Sequence, residues 1–329
     1  MAALRQREHS RWLTMPVEAF PTIPAEELRK RSVSNLLRMG HCAPTVMQTM
    51  LDASDTEADW LVLLTAGLPG GIGNAGGECG GLTAPLVLMG LRHRREETPD
   101  GLPVVVEAGH DLLERFRDRH GSTDCRQILG SARLPLRCVG VVREAPAMCA
   151  QCLAASDGRQ LIASERRAAY RELYAHWQQR GFHCADAVLA ELDTPDGLDG
   201  AATAFMGGTL FEGMTCSALT AGVMALGLAF GDIEDSRPRV ARMLAMMALR
   251  RDALADDVNA FNRAMNLGHD LAAWFERQFG STQCRALTGC DFATAEGVHA
   301  YIEHDGTTAC ARIARLVAER VDEMTAEAS

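Results

Sequence analysis

The chain has 329 residues, long enough for two domains of ordinary size. Its 33 Lys and Arg against 43 Asp and Glu give a formal charge of −10, which argues against the basic surface of a nucleic-acid-binding protein. Only 5% of the residues are aromatic, and Ala, Leu and Met dominate the apolar positions, so the composition favours helices over sheets.

Residues 1–23 are a Pro-containing leader that lacks the apolar core of a signal peptide, which predicts a cytoplasmic protein. The longest apolar stretch, 218–230, is too short to span a bilayer, so no membrane span is expected. Eleven cysteines in a reducing compartment favour metal binding or redox chemistry over a framework of structural disulfides.

Helical spacing of apolar residues predicts amphipathic helices over 25–39 and 164–180. Each is followed by a glycine and a His-Cys-Ala sequence that begins a second helix. A last helix is expected over 306–324, with Thr308 as its N-cap and Cys310 in its first turn. Because no segment shows the alternation typical of a half-buried strand, the predicted fold class is all-α.

Apolar helices are expected over 82–91 and 218–230. They carry Gly90 and Gly227 at matched positions, where another helix can approach closely. Both helices are predicted to lie at the centre of their own half or at the interface between the halves.

The sequence contains an internal duplication. Segments 109–130 and 268–289 share 11 of 22 residues, including the sequences Gly-His-Asp and Gly-Ser-Thr-x-Cys-Arg. Two further pairs of segments match in the same order along the chain: 41–46 with 183–188, and 78–91 with 215–228. Colinear matches of this kind indicate an old duplication of one structural unit.

The duplication predicts two homologous helical bundles, 24–152 and 159–325, with an insertion around 231–262 in the second. Two copies of one unit are expected to pack about a pseudo-twofold axis, as the subunits of a homodimer do. A homo-oligomer of the whole chain is a further possibility that the sequence leaves open.

Four cysteines in each repeat are predicted to lie at helix N-termini. They are Cys42, Cys79, Cys125 and either Cys149 or Cys152 in the first repeat, and Cys184, Cys216, Cys284 and Cys310 in the second. The partial positive charge of a helix N-terminus stabilises a thiolate, and four thiolates match the ligand number of an iron–sulfur cluster or a structural zinc. Spacing leaves the choice between Cys149 and Cys152 open. Cys138 and Cys290 have no counterparts and are expected to be bystanders.

Charged and imidazole side chains accompany these cysteines. The candidate ligands for a metal or a non-covalent haem are His41 and His183, which precede paired cysteines, and His110 and His269 of the duplicated Gly-His-Asp. A hydrogen bond to neighbouring backbone is the alternative for the Gly-His-Asp imidazoles. Arg126 and Arg285 follow paired cysteines and would stabilise a thiolate or else form surface salt bridges. Leu153, not His, follows the Cys149–Cys152 pair, which excludes covalent c-type haem there.

Both halves resemble the redox-active family named for its C-GCAxx cysteine pattern. The resemblance rests on an early Cys-Ala-x-x-Val, a Gly-rich turn, a Cys-Gly-Ala-x-x-Gly helix start, the Gly-Ser-Thr-x-Cys-Arg segment and a late cysteine. It covers nearly the whole chain, once per repeat, and implies small, helical, redox-active units with the four cysteines assigned above. The helix start departs from the pattern at Gly81 in one half and at Ser217 in the other.

Three functions are consistent with these features. The first is a cysteine-ligated iron–sulfur cluster that acts in electron transfer or redox sensing with a redox partner protein. The second is a metal-free thiol–disulfide oxidoreductase or sensor, since a thiolate at a helix start is also a nucleophile. The third is a structural zinc site in an interaction protein. Any enzymatic activity would be of the oxidoreductase type.

Overall fold

The computed structural model of the protein describes residues 23–93, 101–130, 136–155, 162–184, 186–192, 194, 198, 200–232, 237–238, 240–241, 245 and 262–328. Within these residues the chain forms fourteen α-helices and one 3₁₀ turn, with no β-strand. The prediction of an all-α fold is confirmed. Nearly all of the leader and most of the insertion around 231–262 lie outside the described residues.

The described part of the first half contains seven helices. They are α1 (Ala25–Met39), α2 (Cys42–Ala53), α3 (Asp59–Leu64), α4 (Gly80–His93), α5 (Gly101–His120), α6 (Cys125–Leu129) and α7 (Leu136–Ala155). The break between α1 and α2 falls at Gly40, which takes a left-handed φ of +74° and donates its N–H to the carbonyl of Leu36. This turn places Cys42 at the start of α2.

The second half repeats this order with one addition. Its helices are α8 (Ser164–Gln179), α9 (Ala187–Glu191), α10 (Ser217–Phe230), α11 (Arg263–Phe279), α12 (Cys284–Thr288), α13 (Ala295–Glu303) and α14 (Gly306–Ala328), and a 3₁₀ turn at Thr203–Phe205 stands near the position of α3. Helix α13 is the addition, because no helix is described between α6 and α7 of the first half. In the first half α1 packs on α7, whereas its counterpart α8 packs on α13.

The start of the last helix differs from the prediction. Helix α14 begins at Gly306, so Cys310 is its fifth residue rather than a first-turn residue, and Thr308 lies inside the helix. Asp305 takes a left-handed φ of +53° and separates α13 from α14 with a minimal turn. The Thr308 hydroxyl donates instead to the Asp305 carboxylate at 2.8 Å.

The two apolar helices lie in the core, as predicted. Helix α10 is buried from Ser217 to Leu228, and most of the apolar residues of α4 are fully buried. At Gly90 an added Cβ would lie 2.2 Å from the carbonyl oxygen of Gly200, and at Gly227 it would lie 2.6 Å from that of Leu63. Both glycines are therefore needed for the close contact between the halves.

Contacts between the halves are reciprocal. Gly227 is the counterpart of Gly90, and Gly200 is the counterpart of Leu63, so each half presents the same surface to the other. Such reciprocity is what a pseudo-twofold relation requires; the axis itself stays a prediction. None of the described helices is long and apolar enough to cross a bilayer.

A buried carboxylate joins the halves near their matched helix starts. Glu78, which is 1% exposed, accepts hydrogen bonds from the Thr209 hydroxyl at 2.7 Å and from the Thr215 backbone N–H at 3.1 Å. The Thr215 hydroxyl also donates to it. Thr215 is the counterpart of Glu78 in the duplication, so the two helix starts meet each other across the interface.

Candidate functional site

The first half brings four thiols together, which we call the first thiol group: Cys42, Cys79, Cys125 and Cys138. The thiol of Cys42 is hydrogen-bonded to that of Cys138, and the thiol of Cys79 to that of Cys125. Three members are buried, and Cys138 is half-buried. The group therefore consists of two hydrogen-bonded thiol pairs, one of which is partly accessible from solvent.

The fourth member of this group differs from the cysteine predicted from the sequence. The structure places Cys138, expected to be a bystander, in the group and leaves out Cys149 and Cys152. Cys149 lies three turns further along α7, a rise of about 16 Å, and its titratable neighbours are Cys152 and Arg92. The spacing between Cys284 and Cys310 predicted the wrong fourth cysteine because α13 lies between those two residues. No matching helix is described between Cys125 and Cys138 in the first repeat.

The second half brings together the four cysteines assigned to it, which we call the second thiol group: Cys184, Cys216, Cys284 and Cys310. They line a cavity of about 20 Å³. Trp177, Phe292 and Tyr301 complete its wall, and Tyr301 lowers the pKa of Cys310. Cys290 lies close enough to affect the pKa of Cys284 but does not line the cavity.

An unusual loop conformation serves both thiol groups. Five consecutive residues, 70–74, have φ between +50° and +84°, and 207–211 repeat this with φ between +53° and +74°. A run of left-handed residues is costly for any residue with a Cβ, and such strain is typically stored at functional sites. The turn directs the N–H of Gly70 to the Cys42 thiol and that of Gly207 to the Cys184 thiol.

Backbone hydrogen bonds fix the middle two cysteines of each group. The N–H of Cys79 donates to the carbonyl of Thr123 at 2.8 Å, and that of Cys125 donates to the carbonyl of Gly77 at 2.7 Å. The same bonds recur in the second half, from Cys216 to Thr282 at 2.8 Å and from Cys284 to Met214 at 2.7 Å. This pairing explains why the Gly-Ser-Thr-x-Cys segment is the best-matched part of the duplication.

The serines of that segment hydrogen-bond to the N-cap residues of the two helices that follow. The N-caps of α6 and α12 are Asp124 and Gln283, and each donates its backbone N–H to the preceding serine hydroxyl at 3.0 Å. The arginine that follows each paired cysteine forms hydrogen bonds away from the thiols. Arg126 donates to the backbone carbonyl of Ala75 at 2.9 Å. Arg285 donates to the Asp291 carboxylate at 2.8 Å, which is the salt bridge considered as its alternative role.

Most of these thiols are held in the protonated form. Burial raises the pKa of Cys184 and Cys216 to about 12, and it raises the pKa of Cys284 well above its usual value. At Cys79 and Cys138 the hydrogen bond to the partner thiol raises the pKa first, and burial adds to it. The expectation that a helix start favours a thiolate therefore fails at Cys216, where desolvation outweighs the helix. Cys184 does not lie at a helix start as predicted, because α9 begins only at Ala187.

Cys42 is the exception. Its hydrogen bond with Cys138 lowers its pKa and outweighs burial, and the N–H groups of Gly70, Ala43 and Cys42 itself lower it further. Gly80 makes room for this sulfur, because a Cβ at Gly80 would lie 2.4 Å from the Cys42 Sγ. In the second half Ser217 replaces that glycine and hydrogen-bonds to Cys184.

The candidate histidines have other contacts. His41 is the N-cap of α2, and burial lowers its pKa to about 4, so its imidazole is neutral. The Nδ1 atom of His183 lies 2.9 Å from the Asp186 carboxylate, and the Nε2 atom of His110 lies 3.0 Å from the carbonyl oxygen of Leu210. His110 therefore hydrogen-bonds to backbone, which was the alternative to metal binding, but the carbonyl belongs to the other half of the chain. His269 is exposed.

The arrangement of the thiols can be compared with what a bound metal would require. Across the described residues, no three His, Cys, Asp or Glu side chains form a group that could hold a metal ion. The cavity of about 20 Å³ in the second half has room for one water-sized particle. Within the described residues the thiols therefore form no ready-made site for a metal ion, and iron–sulfur, zinc and haem binding stay predictions.

Comparison with known families decides the classification. A family model described as "Putative redox-active protein (C_GCAxxG_C_C)" matches residues 40–154 and again residues 182–324. The chain belongs to the C_GCAxxG_C_C family. The two matches are consistent with two tandem C_GCAxxG_C_C copies, each of which contains one thiol group, and the family description supports a redox role. No curated protein and no solved structure matches the chain.

Proposed function

We propose that the protein is a thiol-based redox protein and that Cys42 and Cys138 are its reactive pair. The observation that carries this proposal is the hydrogen bond between their thiols, which lowers the pKa of one and raises that of the other. On oxidation a bond forms between the two sulfurs, and two electrons pass to the oxidant. The proton that the pair shares leaves with the products.

The two sulfurs have complementary properties. Cys138 is half-buried and meets an external reactant first, whereas Cys42 is buried behind it. As Cys138 attacks, its proton passes to the Cys42 sulfur, which can accept it because the lowered pKa of Cys42 favours the thiolate. Cys42 then resolves the mixed disulfide, as the second thiol of a dithiol pair does.

A second candidate is the cysteine-ligated iron–sulfur protein for electron transfer. It is favoured by one observation, the convergence of four thiols from four separate elements in each half. A cluster would supply one-electron chemistry. Metal ligation requires deprotonated thiols, so uptake would have to overcome the raised pKa values of the second group and would increase with pH.

One experiment separates these functions. The full chain is prepared without oxygen, analysed for iron, zinc and sulfide, and then equilibrated in dithiol buffers of stepped potential before alkylation and peptide mapping. We expect a reversible Cys42–Cys138 disulfide with a midpoint in the range of cytosolic dithiols, about −300 to −200 mV. Cys42→Ser should abolish it and Cys184→Ser should leave it unchanged. Stoichiometric iron with all eight group thiols protected from alkylation would replace the proposal with the second candidate.

A further inference from the structure

An open cavity of about 330 Å³ lies among α5, α6 and α7. Its wall includes Arg119 and His120 at the end of α5, Ile128 of α6, and Arg137, Val141 and Arg143 of α7. The floor is apolar and the rim is basic. A volume of this size holds a small organic molecule.

The cavity and the thiols share the same helix faces. Ile128 lies one turn after Cys125 on α6, and Val141 lies one turn after Cys138 on α7, a rise of about 5 Å in each case. Both floor residues are buried, and Cys138 is the half-buried member of the group. A molecule in the cavity therefore lies within about one helical turn of Cys138, although no cysteine is among the residues that line the cavity.

The rim carries a net positive charge. Arg119, Arg137 and Arg143 are exposed there. The carboxylate on the wall, Glu144, is paired with Arg29 at 3.0 Å and lies 4.0 Å from Arg143. Planar guanidinium groups around a cleft attract carboxylates and bind them with two parallel hydrogen bonds.

The His120 imidazole adds a polar group to the wall. Burial and the nearby charge of Arg119 lower its pKa, so the ring is neutral near pH 7. Its Nε2 atom is buried and has no hydrogen-bond partner within the described structure. A ligand that supplies a partner for this atom would relieve that unsatisfied group.

We propose that this cavity binds the co-reactant of the thiol centre and that the co-reactant is a small disulfide that carries carboxylates. The inference rests on the proposed function. Cys138 attacks one sulfur of the bound disulfide and releases the other as a thiolate, while the Cys138 proton passes to Cys42. Cys42 then attacks the mixed disulfide, its proton goes to the second leaving sulfur, and the Cys42–Cys138 disulfide remains.

The second half lacks this arrangement. Gln278 and Phe279 stand where the first half has Arg119 and His120. Leu287 and Ile313, the counterparts of the two floor residues, line the cavity of about 20 Å³ around the second thiol group. The second thiol group therefore serves as an internal comparison, because it has a related set of thiols without a basic cavity beside them.

The test is the charge dependence of thiol–disulfide exchange by the reduced full chain. The probes are 3,3′-dithiodipropionate (anionic), 2-hydroxyethyl disulfide (neutral) and cystamine (cationic). We expect exchange to be fastest with the anionic probe, slower with the neutral probe and slowest with the cationic probe. Arg119→Gln, which introduces the residue found at the matched position 278, should slow exchange with the anionic probe about 5- to 10-fold, the size of one net hydrogen bond, and leave exchange with the neutral probe unchanged. Arg315→Gln on α14 is the matched control and should change nothing.

Binding of suberate, the dicarboxylate in which two methylenes replace the disulfide, keeps this proposal separate from the proposed function. Calorimetric binding of suberate that is weakened by Arg119→Gln supports the cavity even if no probe is reduced, in which case only the proposed function fails. Equal rates for the three probes, or an equal effect of Arg119→Gln on all of them, would overturn the cavity proposal while thiol exchange stands. Absence of suberate binding would also overturn it.

Discussion

The two halves build the same scaffold around different chemical environments. Each has the left-handed turn, the pair of backbone bonds and four converging cysteines. Yet the pKa of Cys42 is lowered, whereas burial raises that of its counterpart Cys184 to about 12. One difference lies in direct contact with these sulfurs, since Gly80 of the first half is Ser217 in the second.

The surroundings differ more than the thiols do. Helix α13 and the segment before it bring Phe292 and Tyr301 against the second group, where their rings lie 5.0 Å apart. The first half has no such helix and keeps an open, basic cavity instead. The duplicated cysteine pattern therefore places the thiols in both halves, and the helix that differs between the halves changes what surrounds them.

Thiol reactivity provides the sharpest test of this comparison. Cys42 and Cys184 are 6% and 8% exposed, so access to a reagent is nearly matched. Because the pKa of Cys184 is about 12 and that of Cys42 is below its usual value, the thiolate populations near neutral pH differ by at least about 1000-fold. The higher nucleophilicity of the more basic thiolate reduces this to about 50-fold in rate. Peptide mapping after timed alkylation measures both rates.

The pH profile provides the control for this prediction. The alkylation rate of Cys42 should level off at a lower pH than that of Cys184, which should still rise at pH 11. Cys138→Ser removes the thiol hydrogen bond and should move the Cys42 profile to higher pH. Equal rates and superimposable profiles for the two cysteines would contradict the asymmetry between the halves.

The histidine at the start of α2 should make the protein sensitive to acid. Burial lowers the pKa of His41 to about 4, so below pH 6.5 the unfolded chain binds a proton that the folded chain does not. The free energy of unfolding should therefore fall between pH 6.5 and pH 4, by about 3 kcal/mol in total from this residue. Urea unfolding across this range measures it.

His41→Gln should remove that part of the pH dependence, because glutamine does not titrate. His183→Gln at the matched position leaves His41 intact and should keep the wild-type difference between pH 6.5 and pH 4. If both variants retain the wild-type slope, His41 is not buried in its neutral form.

Much of the fold could be predicted because local signals agree with tertiary packing. The apolar spacing of 25–39 gave the bounds of α1, and the apolar run at 218–230 became the most buried helix of the second half. Matched glycines at 90 and 227 indicated close contacts, which the structure shows between the halves. The duplication predicted two units, and the family matches show two copies.

The site was harder to predict, since its composition depends on tertiary contacts. Cys138 has no sequence counterpart at a constant spacing, because α13 separates Cys284 from Cys310 in the second repeat only. Helix-start position alone suggested thiolates throughout, but the extent of desolvation, which no local pattern encodes, reversed this at Cys184 and Cys216. The basic cavity combines α5, α6 and α7, and no motif marks it.

The residue that differs in contact with the two matched sulfurs, Gly80 in the first half and Ser217 in the second, can be exchanged by mutation. Gly80→Ser adds a Cβ only 2.4 Å from the Cys42 Sγ, so the sulfur must move and its bond with Cys138 is weakened. We expect a loss of about 1–3 kcal/mol in the free energy of unfolding, typical of overpacking, and slower alkylation of Cys42. Urea unfolding and timed alkylation measure the two effects.

Ser217→Gly is the reverse exchange. It removes a hydroxyl that lowers the pKa of Cys184, so this thiol should react more slowly still while Cys42 is unaffected. A Gly80→Ser protein with wild-type stability and wild-type Cys42 reactivity would show that the glycine is not what admits the sulfur.

The smallest effect is expected at the aromatic wall of the second group. The Tyr301 hydroxyl lowers the pKa of Cys310 against burial, so Tyr301→Phe should slow alkylation of Cys310 a few-fold and change the free energy of unfolding by about 1 kcal/mol. Tyr170→Phe is the matched control, because the Tyr170 hydroxyl donates to the Phe292 carbonyl at 2.9 Å rather than to a thiol. It should change stability by a similar amount without altering Cys310. Equal slowing by both variants would mean that packing, not the hydroxyl, controls this thiol.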